Sequence, residues 1–200
     1  RDMSDRIPFN RPSFAGREFE YMRAALDEGH VSGDGPFTHR AAESIRKVTE
    51  SSRALLTPSC TSALEMAALL LEIQPGDEVI VPAFTFVSSV NAFVLRGARP
   101  VFADIRLDTL NVDESLIERL ITPRTRAIIV VHYAGVGCAM AEICEIAQRH
   151  GLPVVEDNAH GLFGRYRGRP LGSFGRFATL SFHETKNITC GEGGALLLNT

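Results

Sequence analysis

The chain alternates short, nearly pure apolar runs with stretches of mixed polarity on a helical period. Phe19, Met22 and Leu26 recur at helical spacing through residues 16–28, and a glycine-rich segment follows at 29–35. Thr38 stands where it can cap a second helix running to about Glu50. Beyond it the pattern predicts strands at 53–56, 78–81, 100–103, 126–131, 153–156, 178–182 and 195–198. Helices are predicted between them at 62–71, 86–95, 113–120 and 139–150. Punctuation supports these bounds: Gln74-Pro75-Gly76-Asp77 stops one helix, Pro82 ends a strand, and Gly151 closes the 139–150 helix.

The run Arg126-Ala127-Ile128-Ile129-Val130-Val131 is almost wholly apolar. Such a strand needs cover on both faces, which is the condition of a parallel sheet. The expected fold is α/β, a three-layer sandwich around a mostly parallel sheet. No helical pattern separates the last two strands, so one of them is expected to run antiparallel or lie at an edge.

Composition narrows the classes. Two hundred residues with 44% hydrophobic and 22% charged content can bury a core in one globular unit. A net charge of -3 gives no electrostatic case for nucleic acid or a membrane surface. No apolar run reaches membrane-span length, and the polar start Arg1-Asp2-Met3-Ser4-Asp5-Arg6 lacks the apolar stretch of a signal peptide. Cys60, Cys138, Cys144 and Cys190 form no C-x-x-C pair and fit no zinc spacing, which reads as a reduced, cytoplasmic protein. The six histidines include no H-x-x-x-H pair, so no metal site is expected.

Only two lysines, Lys47 and Lys186, stand against 19 arginines. Lys47 has charged helical neighbours, whereas Lys186 follows an apolar strand in Ser181-Phe182-His183-Glu184-Thr185-Lys186-Asn187. An amine can lose its proton and act as a nucleophile, and a guanidinium cannot. In open α/β sheets ligands bind beyond the carboxyl ends of strands, and four such ends here carry polar groups. They are Ser59-Cys60-Thr61-Ser62, Phe84-Thr85-Phe86, Asp157 with His160, and Lys186.

Pyridoxal phosphate would ask four things of such a rim: an amine for its aldehyde, an acid against its ring nitrogen, donors for its phosphate and an aromatic face. Lys186 fits the first demand and Asp157 the second. Pro58-Ser59-Cys60-Thr61-Ser62 at a helix start fits the third, with Ser181 as a further hydroxyl, and Phe86 fits the fourth. Taken singly, Asp157 also fits a helix cap, the Ser/Thr run an ordinary capped helix, and Phe86 a core aromatic.

Four segments, in order, carry a resemblance to a known family. They are Thr57-Pro58-Ser59-Cys60-Thr61-Ser62-Ala63-Leu64, Val81-Pro82-Ala83-Phe84-Thr85-Phe86-Val87, Val155-Glu156-Asp157-Asn158-Ala159-His160 and Ser181 to Asn187. Together they resemble the DegT/DnrJ/EryC1/StrS sugar aminotransferases, which are fold type I pyridoxal phosphate enzymes. The resemblance implies a catalytic Lys186 that binds the cofactor and shuttles protons, and Asp157 at the ring nitrogen. It also implies His160 beside the ring, Phe86 stacked on it, and Cys60, Thr61 and Ser181 at the phosphate. The reaction implied is transfer of an amino group from L-glutamate to a nucleotide-linked 4-keto-6-deoxy sugar, in a homodimer. Family members are roughly twice as long, so residues 1–200 are expected to hold the N-terminal segment and most of the cofactor-binding large domain, without the C-terminal small domain.

Two other readings compete. A nicotinamide-binding domain would need G-x-G-x-x-G between a strand and a helix, and Gly161, Gly164, Gly168, Gly172 and Gly175 lack that spacing. A non-catalytic scaffold or regulator remains as the alternative, with Lys186, Asp157 and Thr61 arguing for retained chemistry.

Overall fold

The computed structural model describes residues 7, 8 and 10–199. The polar start at residues 1–6, read above against a signal peptide, lies outside them. Seven strands make the main sheet: β1 (Arg53–Thr57), β2 (Glu78–Pro82), β3 (Arg99–Ala103), β4 (Thr125–Val131), β5 (Val154–Asp157), β8 (Phe177–Ser181) and β9 (Gly194–Leu198). A separate two-stranded ribbon joins β6 (Arg165–Tyr166) and β7 (Arg169–Pro170). The main order is β1-β9-β8-β5-β4-β2-β3. Every pairing from β8 across to β3 is parallel, and β9 runs against both of its neighbours. The expected reversed strand is therefore β9, and it lies one position inside the edge that β1 occupies.

The helices are α1 (Glu18–Asp27), α2 (Pro36–Thr49), α3 (Cys60–Leu70), α4 (Ser88–Val94), α5 (Glu114–Ile117) and α6 (Met140–His150). Alternate residues of β4 serve opposite faces of the sheet. Ala127 and Ile129 pack with Leu64 of α3 and Phe93 of α4, while Ile128 and Val130 pack with Met140 and Ile143 of α6. This two-sided burial is what the unbroken apolar run required, and it makes the three layers. Truncating one of the fully buried Ile or Leu side chains would cost about 2–5 kcal/mol.

Several helix starts differ from expectation. Thr38 does not cap α2: Gly35 is the cap, and Pro36 opens the helix with its fixed φ. Two residues earlier than expected, α3 starts at Cys60, because the Ser59 side chain accepts the Ser62 N–H at 3.1 Å. The predicted 86–95 helix is shorter, Ser88–Val94, which leaves Phe86 in the preceding loop. The 113–120 helix is one α-helical turn followed by a 3₁₀ turn at Glu118–Leu120.

The apolar stripe of α1 has the expected period but buries nothing, and Phe19 is 82% exposed. Tyr21 of α1 meets Phe37 of α2 edge-on at 5.9 Å, and the Arg40 guanidinium sits over both rings.

Candidate functional site

The carboxyl ends of β1, β2, β4, β5 and β8 open into one cleft of about 790 Å³. All seven residues singled out in the sequence, Cys60, Thr61, Phe86, Asp157, His160, Ser181 and Lys186, line it. The parallel register puts Asp157 level with Val131 and Thr179, so the strand ends share one rim.

Asp157 is the last residue of β5 and only 4% exposed. Its Oδ2 accepts from the Ser89 hydroxyl at 2.6 Å, and its Oδ1 accepts from the Ala159 N–H at 3.2 Å. The Cys60 thiol lies 3.9 Å from Oδ1 and donates more closely, at 3.4 Å, to the Thr179 hydroxyl. Burial and the Asp157 charge push the Cys60 thiol up, so its sulfur is a neutral donor in this setting.

Lys186 sits in the connection between β8 and β9 and is half-buried. The root of that connection is tied by Phe182 N–H to the Gly193 carbonyl at 2.8 Å and by Cys190 N–H to the Phe182 carbonyl at 3.0 Å. The backbone N–H of Lys186 donates to the His183 carbonyl at 3.0 Å. His183 also accepts the Thr185 N–H at its Nδ1, 3.2 Å away, and its Nε2 lies 3.8 Å from Glu192. His183 thus organises the turn ahead of the lysine through a backbone contact.

His160 is held by the Ala134 N–H, which donates to Nδ1 at 3.2 Å and leaves the ring proton on Nε2. Burial and the Lys186 charge push its pKa down, against an upward pull from Asp157. Phe84, Tyr133 and His160 form a wall, with ring centroids 5.0 and 6.1 Å apart in succession. Phe86 is 73% exposed, so it is an open aromatic face on the cleft and not the core aromatic it resembles in isolation.

At the other side of the cleft, α3 begins with the outward-facing N–H groups of its first turn. Gly194, the first residue of β9, passes directly beneath. A Cβ there would lie 2.5 Å from the Cys60 nitrogen and 2.6 Å from the Ser59 oxygen, both backbone atoms. The close approach exists because position 194 has no side chain.

Sequence reasoning missed Ser89, Tyr133 and Glu192 as cleft residues. Ser89 had a faint signal: it is a hydroxyl four residues after Thr85 in a stretch read as an apolar helix. Among the described residues, no group of His, Cys, Asp and Glu could hold a metal ion, and no helix is long and apolar enough to cross a membrane.

A mostly parallel sheet with a lysine-bearing connection and a buried aspartate at its carboxyl rim matches the large domain of a fold type I aminotransferase. The chain belongs to the DegT/DnrJ/EryC1/StrS aminotransferase family, whose model matches residues 12–200. It is similar to Spr1654 of Streptococcus pneumoniae, named as a sugar aminotransferase and solved in PLP and PMP forms. The PMP form is 33% identical with a TM-score of 0.90, covering 98% of this chain and 52% of that one. DesI, solved in the presence of its TDP-sugar product, is 34% identical with a TM-score of 0.86, covering 96% of this chain and 48% of its own. The aminotransferase TlmJ of Streptoalloteichus hindustanus is 32% identical with a TM-score of 0.92, covering 97% of this chain and 53% of its own. The chain therefore spans about half the length of these solved relatives.

Proposed function

We propose that this chain carries the cofactor site of a pyridoxal phosphate-dependent aminotransferase that moves an amino group from L-glutamate to a nucleotide-linked 4-keto-6-deoxy sugar. The observation that carries the reading is that Lys186 and Asp157 line one cleft together with the first turn of α3. The residues fit the group on each of its sides: an amine, a buried carboxylate, a helix start and an exposed ring. When bound, pyridoxal phosphate supplies an aldehyde carbon and an electron sink.

The chain's own residues then divide the work. Lys186 Nζ would hold the cofactor through its aldehyde carbon, and the same amine, when free, would be the group placed to accept and return a proton. Asp157 keeps a proton on the ring nitrogen, since a nearby carboxylate favours the charged ring. The N–H groups of Cys60 and Thr61, with the Ser181 hydroxyl, bind the phosphate, and Cys60 contributes through its backbone because its thiol points at Asp157 and Thr179. Phe86 covers one face of the ring and excludes water. His160 offers its Nε2 proton from the wall.

The substrate class is supported by the TDP-sugar in the DesI structure. Asp104-Ile105-Arg106, the 131–136 segment and Ser59-Cys60-Thr61 resemble dTDP-4-amino-4,6-dideoxygalactose transaminase of surface polysaccharide synthesis, and that resemblance is the ground for proposing this sugar as product. We further place the protein in the cytoplasm as a homodimer that takes up neither nucleic acid nor membrane; the free thiols of all four cysteines agree with a reducing compartment.

The test is a half-reaction. Protein titrated with pyridoxal phosphate should gain a visible absorbance band, and adding L-glutamate should shift it to the near ultraviolet with release of 2-oxoglutarate. A bound cofactor that never converts would favour the scaffold reading instead.

A further inference from the structure

Ser89 lies on α4, wholly buried, 68 residues in sequence from the carboxylate it touches. Its hydroxyl reaches Asp157 Oδ2 at 2.6 Å and the Thr85 hydroxyl at 2.7 Å. An ionised carboxylate only accepts, so the single Ser89 proton is committed to Asp157. Thr85 must then donate into the Ser89 oxygen. The three groups form a one-way chain, from Thr85 through Ser89 to Asp157. Thr85 and Asp157 both line the cleft, so the chain joins two cleft residues through the buried Ser89 hydroxyl. The other carboxylate oxygen is fixed separately by the Ala159 N–H. Held at both oxygens from different elements, the carboxylate has no freedom to rotate about its terminal bond.

Resting on the cofactor reading above, we infer that Ser89 is a positioning residue for that cofactor. It fixes the plane of Asp157 by donating a charge-assisted hydrogen bond to Oδ2, and so holds the carboxylate in the orientation that meets the ring nitrogen. Thr85 reinforces it, because a hydroxyl that accepts a hydrogen bond is a better donor. Ser89 borders the cleft, but its hydroxyl is engaged by Thr85 and Asp157, so its effect on the cofactor passes through Asp157.

The test uses Ser89→Ala and Thr85→Val, each with pyridoxal phosphate labelled with ¹⁵N in the ring. Two quantities are read, the dissociation constant by absorbance titration and the ring ¹⁵N chemical shift by NMR. Expected for Ser89→Ala is about tenfold weaker binding, the loss of one hydrogen bond to a charged group, with the ¹⁵N signal moved toward the unprotonated value. Thr85→Val, at the half-buried end, should move both readouts the same way by about two- to threefold, and it guards against a Ser89→Ala protein that fails to fold. Wild-type protein that takes up cofactor while a folded variant matches it in both readouts overturns the role of Ser89 alone. Wild-type protein that takes up none overturns the cofactor reading and this inference together. Weaker binding with an unmoved ¹⁵N signal would mean that Ser89 is mere packing, which also overturns the inference.

Discussion

The His132 ring meets the Glu156 carboxylate at 2.8 Å with both side chains wholly buried. Glu156 precedes Asp157, so its side chain points to the opposite face of the sheet, where it accepts the N–H groups of Gly172, Phe174 and Gly175 as well. The Cys138 N–H donates to Nδ1 from 3.2 Å, so Nε2 carries the ring proton that faces Glu156. The carboxylate thus collects four donors and pins the loop that leads into β8.

Glu156→Gln should be severely destabilising. Either orientation of the amide would aim an NH₂ at donors that now meet an oxygen. The expected loss is about 3 kcal/mol, read from urea unfolding. A variant as stable as the wild type would show that the four contacts do not anchor the loop.

Lys186→Ala should abolish the visible band and all turnover, because no other lysine lies at the cleft. Asp157→Ala should lower cofactor content and slow the glutamate half-reaction by about 100-fold or more. Stopped-flow absorbance with excess cofactor separates weaker binding from slower chemistry. Unchanged kinetics in Asp157→Ala would remove its ring-nitrogen role.

Gly194→Ala tests the contact between β9 and the start of α3. The added methyl would press on backbone atoms of Ser59 and Cys60, which have no flexible end to yield. The expected cost is about 1–3 kcal/mol in stability, together with weaker binding of pyridoxal phosphate than of pyridoxal relative to the wild-type ratio. An unaltered ratio would place the phosphate elsewhere.

Glu78 predicts an acid limb in the stability curve. The Thr122 hydroxyl and the Arg124 guanidinium, with Arg99 on the other side, pull its pKa from 4.5 down to about 2 against its burial. A depressed folded-state value means that the unfolded chain binds the proton first as pH falls. The stabilisation is therefore complete above about pH 4.5 and is lost progressively toward pH 2. Urea midpoints measured from pH 6 to pH 2 should fall in this window, and Glu78→Gln should flatten that fall while lowering stability at pH 6.

The layered fold was readable because β4 is apolar on consecutive residues, which only double-sided cover explains. The cleft was readable because its side chains sit immediately after strands, where chain order alone puts them on one rim. Helix starts were less so: Thr38 offers a good capping hydroxyl, yet Gly35-Pro36 begins the helix earlier by backbone geometry. Ser89 gave only the faint signal of a hydroxyl four residues after Thr85, and its partner Asp157 is set by the packing of the fold rather than by any local pattern. Likewise the stripe at 16–28 identified the helix α1, but period alone does not say whether a layer exists to bury it against.

The reversed direction of β9 ties two ends of the cleft into one mechanical unit. The chain leaves the sheet at Ser181, carries the amine at position 186 around a hairpin, and re-enters at Gly194, against the start of α3. A shift at the hairpin's root would therefore move Lys186 and the first turn of α3 in concert, so that substitutions near Phe182 or Gly193 would displace both sides of the cleft at once.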